Sequence, residues 1–228
     1  MGNIYLGIAA FFMFLVAATS SHAVSWRTSC SVDSGSLIRG GGAYIFRTSK
    51  NHCPGGVYKQ RSEIYTSNIA VTRKVSYIFH TTLSMKAAAK EEFIIFQIHD
   101  SRIGCSPPLS IRWMGNNTLR FDSDYTRGKG MSGCVQNRSL RSAKYTGSKL
   151  KRDGTSYHLQ VRLAFDGDGG FAVDTFVNEQ PVLSGIYRPS TDPSFIASKK
   201  FYMKHGVYSQ NLFKYEMRSI GMRVSQGR

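Results

Sequence analysis

The stretch FYMKHGVYSQ, residues 201–210, decides the fold class of this chain. A β-strand directs alternate side chains to opposite faces of its sheet. Read with this period of two, one face carries long hydrogen-bonding side chains: Tyr202, Lys204, Tyr208 and Gln210. The other face is apolar and carries Phe201, Met203 and Val207. The pattern predicts a strand that packs on a core with one face and presents directed hydrogen-bonding groups with the other.

Short alternating runs of this kind recur along the chain, whereas helical periodicity is weak. Turn-forming residues separate them, as in GNN at 115–117, RDGTS at 152–156 and DGDGG at 166–170. We predict a short helical turn near 191–197 and strands near 43–47, 57–66, 69–72, 75–86, 92–99, 109–114, 118–122, 156–165, 170–177, 199–209 and 211–224. Many short strands between such turns predict an all-β fold, a β-jelly roll of two packed antiparallel sheets.

The amino-terminal stretch IYLGIAAFFMFLVAATSSHA, residues 4–23, is apolar. It has the length of the apolar region of a signal peptide and is short for a membrane span. Ser21-His22-Ala23 fits a cleavage site, although no Lys or Arg precedes the apolar run. We therefore expect a signal peptide at 1–23 and one secreted, extracellular domain at 24–228, with no membrane association once mature. An uncleaved signal anchor is the alternative.

The chain is strongly basic, since 30 Lys and Arg face 14 Asp and Glu and the formal net charge is +16. Such an excess favours a polyanionic partner: nucleic acid, an anionic membrane or an acidic polysaccharide. Secretion argues against an intracellular nucleic-acid role, so we expect an acidic polysaccharide and no nucleic acid. A basic surface that only contacts solvent is the alternative.

The even number of cysteines predicts two disulfides among Cys30, Cys53, Cys105 and Cys134. Pairing of neighbours, Cys30 with Cys53 and Cys105 with Cys134, is favoured because each pair closes a short loop. The sequence has no CxxC motif or Cys/His cluster with zinc spacing, so we expect no metal and no cofactor. N-glycosylation sequons begin at Asn116 and Asn137.

Four predicted strands carry an unusual polar face. The four polar faces are, in chain order, Arg61, Glu63 and Tyr65; Gln97 and His99; Ser110 and Arg112; and His158, Gln160 and Arg162. Apolar residues lie opposite two of them: Ile94, Phe96 and Ile98 opposite the second, and Leu159, Val161 and Leu163 opposite the fourth. A solvated face usually carries Lys, Glu, Thr and Ser. Arg, Gln, His and Tyr bind sugars and carboxylates through directed hydrogen bonds. These faces therefore predict a concave sheet that forms a glycan groove.

Three motifs follow one another along the chain: Arg61-Ser62-Glu63, Gln97-Ile98-His99 and Tyr202-x-Lys204-x-Gly206-x-Tyr208-x-Gln210. This ordered set resembles the R-(S/T)-E, Q-(I/V)-H and Y-x-K-x-G-x-Y-x-Q motifs of the alginate lyases of polysaccharide lyase family 7. All five fixed positions of the third motif match. The family commonly has Arg where this chain has Tyr65. The resemblance implies a concanavalin A-like sandwich with a concave substrate groove.

The chain is also similar to fungal glucuronan lyases and to the lyases of marine molluscs and chlorella viruses that act on alginate or polyglucuronate. In the mollusc and viral family a functional Lys precedes a Ser-x-Arg pair and tyrosines. Lys86, Ser110-Ile111-Arg112 and Tyr125 follow that order. The similarity implies additional substrate contacts from Lys86, Ser110, Arg112 and Tyr125.

Cleavage of a polyuronate by β-elimination needs a neutralised C6 carboxylate, a base for the C5 proton and an acid for the leaving O4. Arg61 and Gln97 suit the carboxylate, because a cation and an amide donor stabilise the charge that develops there. His99 and Tyr202 suit the base and the acid, in an order that the sequence leaves open. We expect further substrate-binding roles along the groove for Lys204, Tyr208, Gln210 and Glu63, with Glu63 orienting Arg61 or a lysine.

The expected function is that of a secreted, monomeric, endolytic lyase without metal, acting on alginate, polymannuronate or glucuronan. A basic loop at 124–150 is a candidate lid over the groove. The alternative is a non-catalytic, lectin-like module for acidic glycans, which needs the groove but not the His–Tyr pair. A glycoside hydrolase needs paired carboxylates, and Glu63 is the only acid within the motifs. A nuclease is disfavoured because the sequence shows no phosphate-binding loop.

Overall fold

The computed structural model describes residues 24–51, 58–71, 75–100, 107–121, 139–142, 144–145, 149–191, 198 and 200–227. Within these ranges lie one short 3-10 helix, Ser139–Ser142, and fourteen strands. The strands are β1 Trp26–Thr28, β2 Leu37–Gly40, β3 Ala43–Arg47, β4 Gln60–Thr66, β5 Ser76–Lys86, β6 Phe93–His99, β7 Leu109–Trp113, β8 Leu119–Phe121, β9 Lys144–Tyr145, β10 Asp153–Phe165, β11 Phe171–Val177, β12 Gln180–Tyr187, β13 Tyr202–Ser209 and β14 Glu216–Gly227.

These strands form two antiparallel sheets that share one core. The six-stranded sheet has the order β1-β4-β13-β6-β7-β8, and the eight-stranded sheet has the order β2-β3-β14-β5-β10-β11-β12-β9. Neighbours in space are mostly distant in sequence, so β13 near the carboxyl end lies between β4 and β6. The predicted all-β jelly roll of two antiparallel sheets is confirmed.

The two sheets differ in how their outward faces are covered. In β5 and β11 of the eight-stranded sheet, buried residues alternate with half-exposed ones, as expected where only one face meets the core. In β4, β6 and β13 of the six-stranded sheet nearly every residue is buried. One face of these three strands meets the core, and the other is covered by its own long polar side chains. The six-stranded sheet therefore carries the buried polar surface of the molecule.

His205 lies in the core between the sheets, on the face of β13 opposite Tyr202. Its side chain is fully buried and contacts the rings of Phe46 and Phe79. The Nδ1 atom lies 2.8 Å from the carbonyl oxygen of Ile95, and Nε2 lies 2.6 Å from the hydroxyl of Ser219 on β14. A carbonyl only accepts hydrogen bonds, so Nδ1 carries the proton and the Ser219 hydroxyl donates to Nε2. His205 is structural and joins the two sheets.

Bulges in the six-stranded sheet correct one predicted side-chain direction. The alternation predicted that Ile94 faces the core with Phe96, but Ile94 pairs with Tyr208 and with Arg112 on the groove face. The register shifts between Ile94 and Phe96, so that Ile95 joins Phe96 in the core. An extra residue of this kind reverses the alternation beyond it, and no strict period of two predicts its position.

Gly206 lies at the matching irregularity of β13 and has a φ of 140°. A Cβ added there would lie 2.3 Å from the carbonyl oxygen of Ser62 and 2.6 Å from the Cα of Glu63. Only glycine lets β13 approach β4 this closely. The glycine of the third motif is thus explained by backbone packing rather than by chemistry.

Most predicted strands occur, but β1, β2, β9 and β12 were not predicted. The turn before β12 uses Asn178 and Glu179, both with positive φ, which makes a two-residue hairpin without the glycine that usually indicates one.

Within the described ranges, no helix is long and apolar enough to cross a membrane. The predicted signal peptide at 1–23 and nearly all of the helical turn near 191–197 lie outside the described residues.

Candidate functional site

Three adjacent strands of the six-stranded sheet bring the three motifs side by side. The register places Tyr202 opposite His99, and it places Lys204 between Tyr65 on β4 and Gln97 on β6. We call the outward face of these strands and of β7 the groove face. Sequence-distant motifs meet here because β13 inserts between β4 and β6.

His99 and Tyr202 form a stacked pair at one end of the groove face. Their ring centroids are 5.2 Å apart and their planes differ by 16°. Tyr65 meets the ring of Tyr202 edge-on at 6.0 Å. The carboxylate of Asp100 lies 4.0 Å from His99 Nδ1, and its side chain is 1 % exposed. The pair thus lies between a second tyrosine and a buried carboxylate.

Burial shifts the pKa values of the stacked pair in opposite directions. It lowers the pKa of His99 to about 3, with further lowering by the positive charges of Lys204 and Arg61. It raises the pKa of Tyr202 to about 12, and the negative charges of Asp100 and Glu63 raise it further. At neutral pH the imidazole is therefore unprotonated and the phenol keeps its proton.

Glu63 joins the two cations of the groove face. Its Oε2 lies 3.3 Å from Nε of Arg61 and 3.7 Å from Nζ of Lys204, and its side chain is 1 % exposed. The contact with Arg61 is an ion pair without good hydrogen-bond geometry. Burial lowers the pKa of Lys204, while Glu63 acts against that shift. The predicted orienting role of Glu63 thus fits its position.

Arg61 is also held by an aromatic ring and by sulfur. Its guanidinium carbon lies 3.9 Å from the centroid of the Tyr208 ring, and Nη1 lies 3.6 Å from Sγ of Cys30. Cys30 is disulfide-bonded, and the other three cysteines lie outside the described residues, so the predicted connectivity stays a prediction. The guanidinium is therefore fixed before any substrate binds.

The groove face continues from Tyr208 towards β7. The ring of Tyr58 lies 4.5 Å from that of Tyr208, and its hydroxyl accepts a 2.7 Å hydrogen bond from Nη2 of Arg112. Ser110 lies beside Gln97 in the register, and both are buried. The structure therefore brings Ser110 and Arg112 to the same face as the three motifs.

Other predicted site residues lie elsewhere. Lys86 ends β5 in the eight-stranded sheet, beside Glu216 and Asp153, and so does not reach the groove face. Gln210 follows β13 and is exposed. Tyr125, and with it most of the candidate lid loop at 124–150, lies outside the described residues.

The polar face of His158, Gln160 and Arg162 was assigned to the wrong sheet. These residues lie on β10, and their strand pairs with β5 and β11 in the eight-stranded sheet. The alternation of polar and apolar residues was correct, but alternation alone does not say which sheet a strand joins.

The sequence did not indicate two residues that the structure adds to the site. Tyr58 precedes the first motif by three positions, and Asp100 directly follows the second. The alternation that exposes His99 on the groove face gives no signal for Asp100, because a strand directs the next residue the other way. β6 ends at His99, so the alternation of a strand does not apply to Asp100.

Solved structures share this fold. AlgAT5, an alginate lyase of polysaccharide lyase family 7, has a TM-score of 0.57 at 16 % identity over 89 % of this chain and 94 % of that one. An endo-β-1,4-glucuronan lyase from the fungus Trichoderma reesei has a TM-score of 0.55 at 15 % identity over 92 % and 93 %. The family 7 alginate lyase A1-II′, with a His-to-Asn and a Tyr-to-Phe substitution and in complex with substrate, has a TM-score of 0.52 at 16 % identity over 85 % and 82 %.

No protein-family model matches the sequence, and no curated protein matches it closely enough to indicate a relationship. At identities of 15 and 16 % the likeness concerns the fold. The resemblance that the three motifs indicated, to the jelly roll of family 7 alginate lyases and of glucuronan lyases, is confirmed at the level of that fold.

Proposed function

We propose that the protein is a secreted polysaccharide lyase that cleaves an acidic polyuronate, alginate or a glucuronate polymer, by β-elimination. One observation carries the proposal: the stacked pair of His99 and Tyr202 lies on the same buried face as Arg61, Gln97 and Lys204. A proton acceptor, a proton donor and groups that bind a carboxylate are the three requirements of this elimination.

The proposed reaction starts with the C6 carboxylate of the sugar that follows the scissile bond. Arg61 and the Gln97 amide hold this carboxylate and stabilise the negative charge that moves onto it as the C5 proton leaves. Because Tyr208 and Glu63 already hold the Arg61 side chain, little reorganisation accompanies binding. Lys204 adds a second positive charge within the same buried surface.

We propose His99 as the base and Tyr202 as the acid, and the protonation states of the two side chains support this order. His99 has a lowered pKa and is neutral at pH 7, so it takes the C5 proton. The electron pair of the C5–H bond forms the C4–C5 double bond as the C4–O4 bond breaks. Tyr202, whose pKa is raised, gives its proton to the departing O4. The products are a shortened chain that ends in a new reducing sugar, which keeps the departing oxygen on its C1, and a chain that begins with an unsaturated sugar.

The comparisons support this proposal. Two of the similar solved structures are named as lyases of alginate and of glucuronan, which are both polyuronates. A third was obtained with substrate when one His and one Tyr had been replaced. Those are the two residue types that form the stacked pair here. We further propose that the cleavage is endolytic and that residues 1–23 direct secretion.

The proposal is tested by incubating the mature protein with polymannuronate, polyguluronate and glucuronan in separate reactions. Each cleavage creates a double bond conjugated with the carboxylate, so ultraviolet absorbance rises in proportion to the bonds broken. We expect a rise on at least one polymer, with an early fall in viscosity if cleavage is internal. Absence of absorbance on all three polymers contradicts the proposal, and retention of a polymer without cleavage indicates a glycan-binding module instead.

A further inference from the structure

The outer face of the eight-stranded sheet, on the far side of the sandwich from the groove face, carries an ordered row of polar and aromatic side chains. The register joins Arg223 on β14 to His80 on β5, His80 to Gln160 on β10, and Gln160 to Phe176 on β11. With adjacent strands about 4.8 Å apart, this row is about 14 Å long. Arg162 is the next residue of β10 on the same face. We call these five residues the outer row.

Arg162 is exposed but held in one orientation. Its Nε donates a 2.6 Å hydrogen bond to Oε1 of Gln160, whose Nε2 lies 3.2 Å from Nδ1 of His80. The guanidinium carbon lies 4.3 Å from the centroid of the Phe176 ring. The two terminal nitrogens make no hydrogen bond or ion pair with any residue that the structure describes. A guanidinium oriented in this way presents two parallel donors, which match the two oxygens of a carboxylate.

Positive charge predominates around this guanidinium. Arg223 is exposed at the other end of the outer row, and its charge and that of Arg162 lower the pKa of His80, after the larger effect of burial. Asp174 lies directly across from Arg162 in the register, yet the two described side chains form no ion pair. Among the described residues, the face therefore presents two cations that lack an ion-pair partner and two neutral hydrogen-bonding side chains between them.

We propose that the outer row is a second binding site, separate from the groove, for a chain of acidic polysaccharide. The choice of this occupant rests in part on the proposed function, since a polyuronate is the polyanion that the groove would also bind. Its carboxylates repeat along the chain, so Arg162 and Arg223 bind different sugars of one strand while Gln160 and His80 bind the hydroxyls between them. Each exposed contact is weak by itself, but contacts with one polymer reinforce each other.

The arrangement favours a sugar acid over a nucleic acid. Proteins that bind single-stranded nucleic acids stack bases on open aromatic faces. Here the guanidinium of Arg162 lies over the Phe176 ring, so that face is occupied and the presented groups are hydrogen-bond donors. Because the outer row and the groove face lie on opposite sides of the sandwich, one polymer strand can be held while another is cleaved. The outer row would thus keep the enzyme on its polymer between cleavage events.

The test uses polymer binding in a background that does not cleave. Mature Tyr202→Phe protein is compared with the same protein carrying Arg162→Ala and Arg223→Ala, by affinity electrophoresis in gels containing alginate or glucuronan. The matched control carries Lys90→Ala and Lys214→Ala, which remove two exposed charges outside the outer row. We expect the Arg variant to bind the polymer about three- to tenfold more weakly and the Lys control to change less than about twofold. Arg162→Lys should behave like Arg162→Ala, because it keeps the charge but loses the parallel donors.

A second measurement separates this proposal from the proposed function. With Tyr202 intact, the Arg162→Ala/Arg223→Ala variant should cleave short oligouronates at the normal rate, since these fill only the groove. If the protein cleaves polyuronates and the Arg variant binds polymer like the Lys control, the outer-row proposal is wrong and the lyase proposal stands. If the protein binds polymer through Arg162 but never cleaves it, the lyase proposal is wrong and the outer-row proposal stands. Stronger binding of single-stranded DNA than of polyuronate, or a change in molecular mass by light scattering in the Arg variant, would also overturn the outer-row proposal.

Discussion

The ring of His99 stacks on the ring of Tyr202 with centroids 5.2 Å apart, and the same burial that lowers one pKa raises the other. Both side chains are neutral at pH 7 as a result, so the imidazole is able to accept a proton and the phenol is able to give one. Two neutral groups of this kind suit an elimination that removes the C5 proton and protonates the departing O4. The surrounding Arg61 and Lys204 supply the charge that the pair itself lacks.

Replacing Tyr202 by Phe removes the proton donor and keeps the ring that stacks on His99. We expect kcat on a polyuronate to fall about 10²- to 10⁴-fold, the usual contribution of general acid catalysis, while polymer binding changes little. Absorbance of unsaturated ends measures the first effect, and affinity electrophoresis the second. The matched control is Tyr65→Phe, which removes a hydroxyl from the ring that meets Tyr202 edge-on. A Tyr202→Phe enzyme as active as the Tyr65→Phe enzyme would show that Tyr202 is not the acid.

The pH profile of kcat/KM tests the protonation state of His99. This parameter reports ionisations of the free enzyme. Because the pKa of His99 lies near 3 rather than 6.5, we expect no loss of kcat/KM between pH 8 and pH 5.5 that follows a histidine titration. Stability should be followed across the same range, so that unfolding is not mistaken for titration. A fall in kcat/KM that follows an ionisation near pH 6.5 while the protein stays folded would contradict the assignment.

Burial lowers the pKa of Lys204 and Glu63 opposes that shift, so removal of Glu63 should be visible at alkaline pH. Its negative charge raises the pKa of Lys204 against the lowering effect of burial and of Arg61. Glu63→Gln keeps the size of the side chain and removes the charge, so the pKa of Lys204 falls further. We expect the alkaline limb of kcat/KM to move to lower pH. Glu216→Gln, which removes an ion-paired carboxylate in the other sheet, should leave that limb in place. An unmoved limb in Glu63→Gln would mean that Lys204 does not control it.

The residues of the groove face were predictable because each motif lies on a strand that keeps a period of two. Arg61 and Glu63, Gln97 and His99, and Tyr202 and Lys204 all alternate correctly. The three motifs meet because their strands are neighbours in the sheet. The spacing of the motifs along the chain does not predict which strands are neighbours. The resemblance implied a shared concave groove, and the structure adds the strand order.

Residues beyond a bulge or in an unexpected sheet were not predictable in the same way. Ile94 lies on the groove face because of the extra residue in β6. The face of Arg162 has the same composition as a groove wall, yet it belongs to the eight-stranded sheet. The pairing between strands decides the direction of Ile94 and the sheet that contains Arg162. The sequence of one strand does not indicate which strand it pairs with.

Arg152 holds three carbonyl groups together where β6 begins and β7 ends. Its terminal nitrogens donate to the carbonyls of Ala89, Glu91 and Met114 at 2.6–3.0 Å, and its guanidinium lies 5.1 Å from the Phe93 ring centroid. A lysine keeps the charge but cannot reach all three acceptors. We expect Arg152→Lys to lower the free energy of unfolding by about 2–4 kcal/mol in urea denaturation, since buried acceptors lose their donors. The exposed Arg218→Lys is the control, and equal stability of the two variants would contradict this role.

The buried His205 should make the protein sensitive to acid. Its pKa is lowered from 6.5 to about 4 by burial, so between these values the unfolded chain takes up a proton that the folded chain refuses. The contribution of this group to the free energy of unfolding is therefore fully present above pH 6.5 and falls by about 3 kcal/mol as the pH decreases to 4.

His205→Gln keeps one donor for Ile95 and one acceptor for Ser219 without titrating. We expect the variant to be less stable at pH 7 but to lose less stability between pH 6.5 and 4, as measured by urea denaturation at each pH. His158→Gln, at an exposed histidine of the other sheet, should retain the full pH dependence, and an identical slope in His205→Gln would show that His205 is not its source.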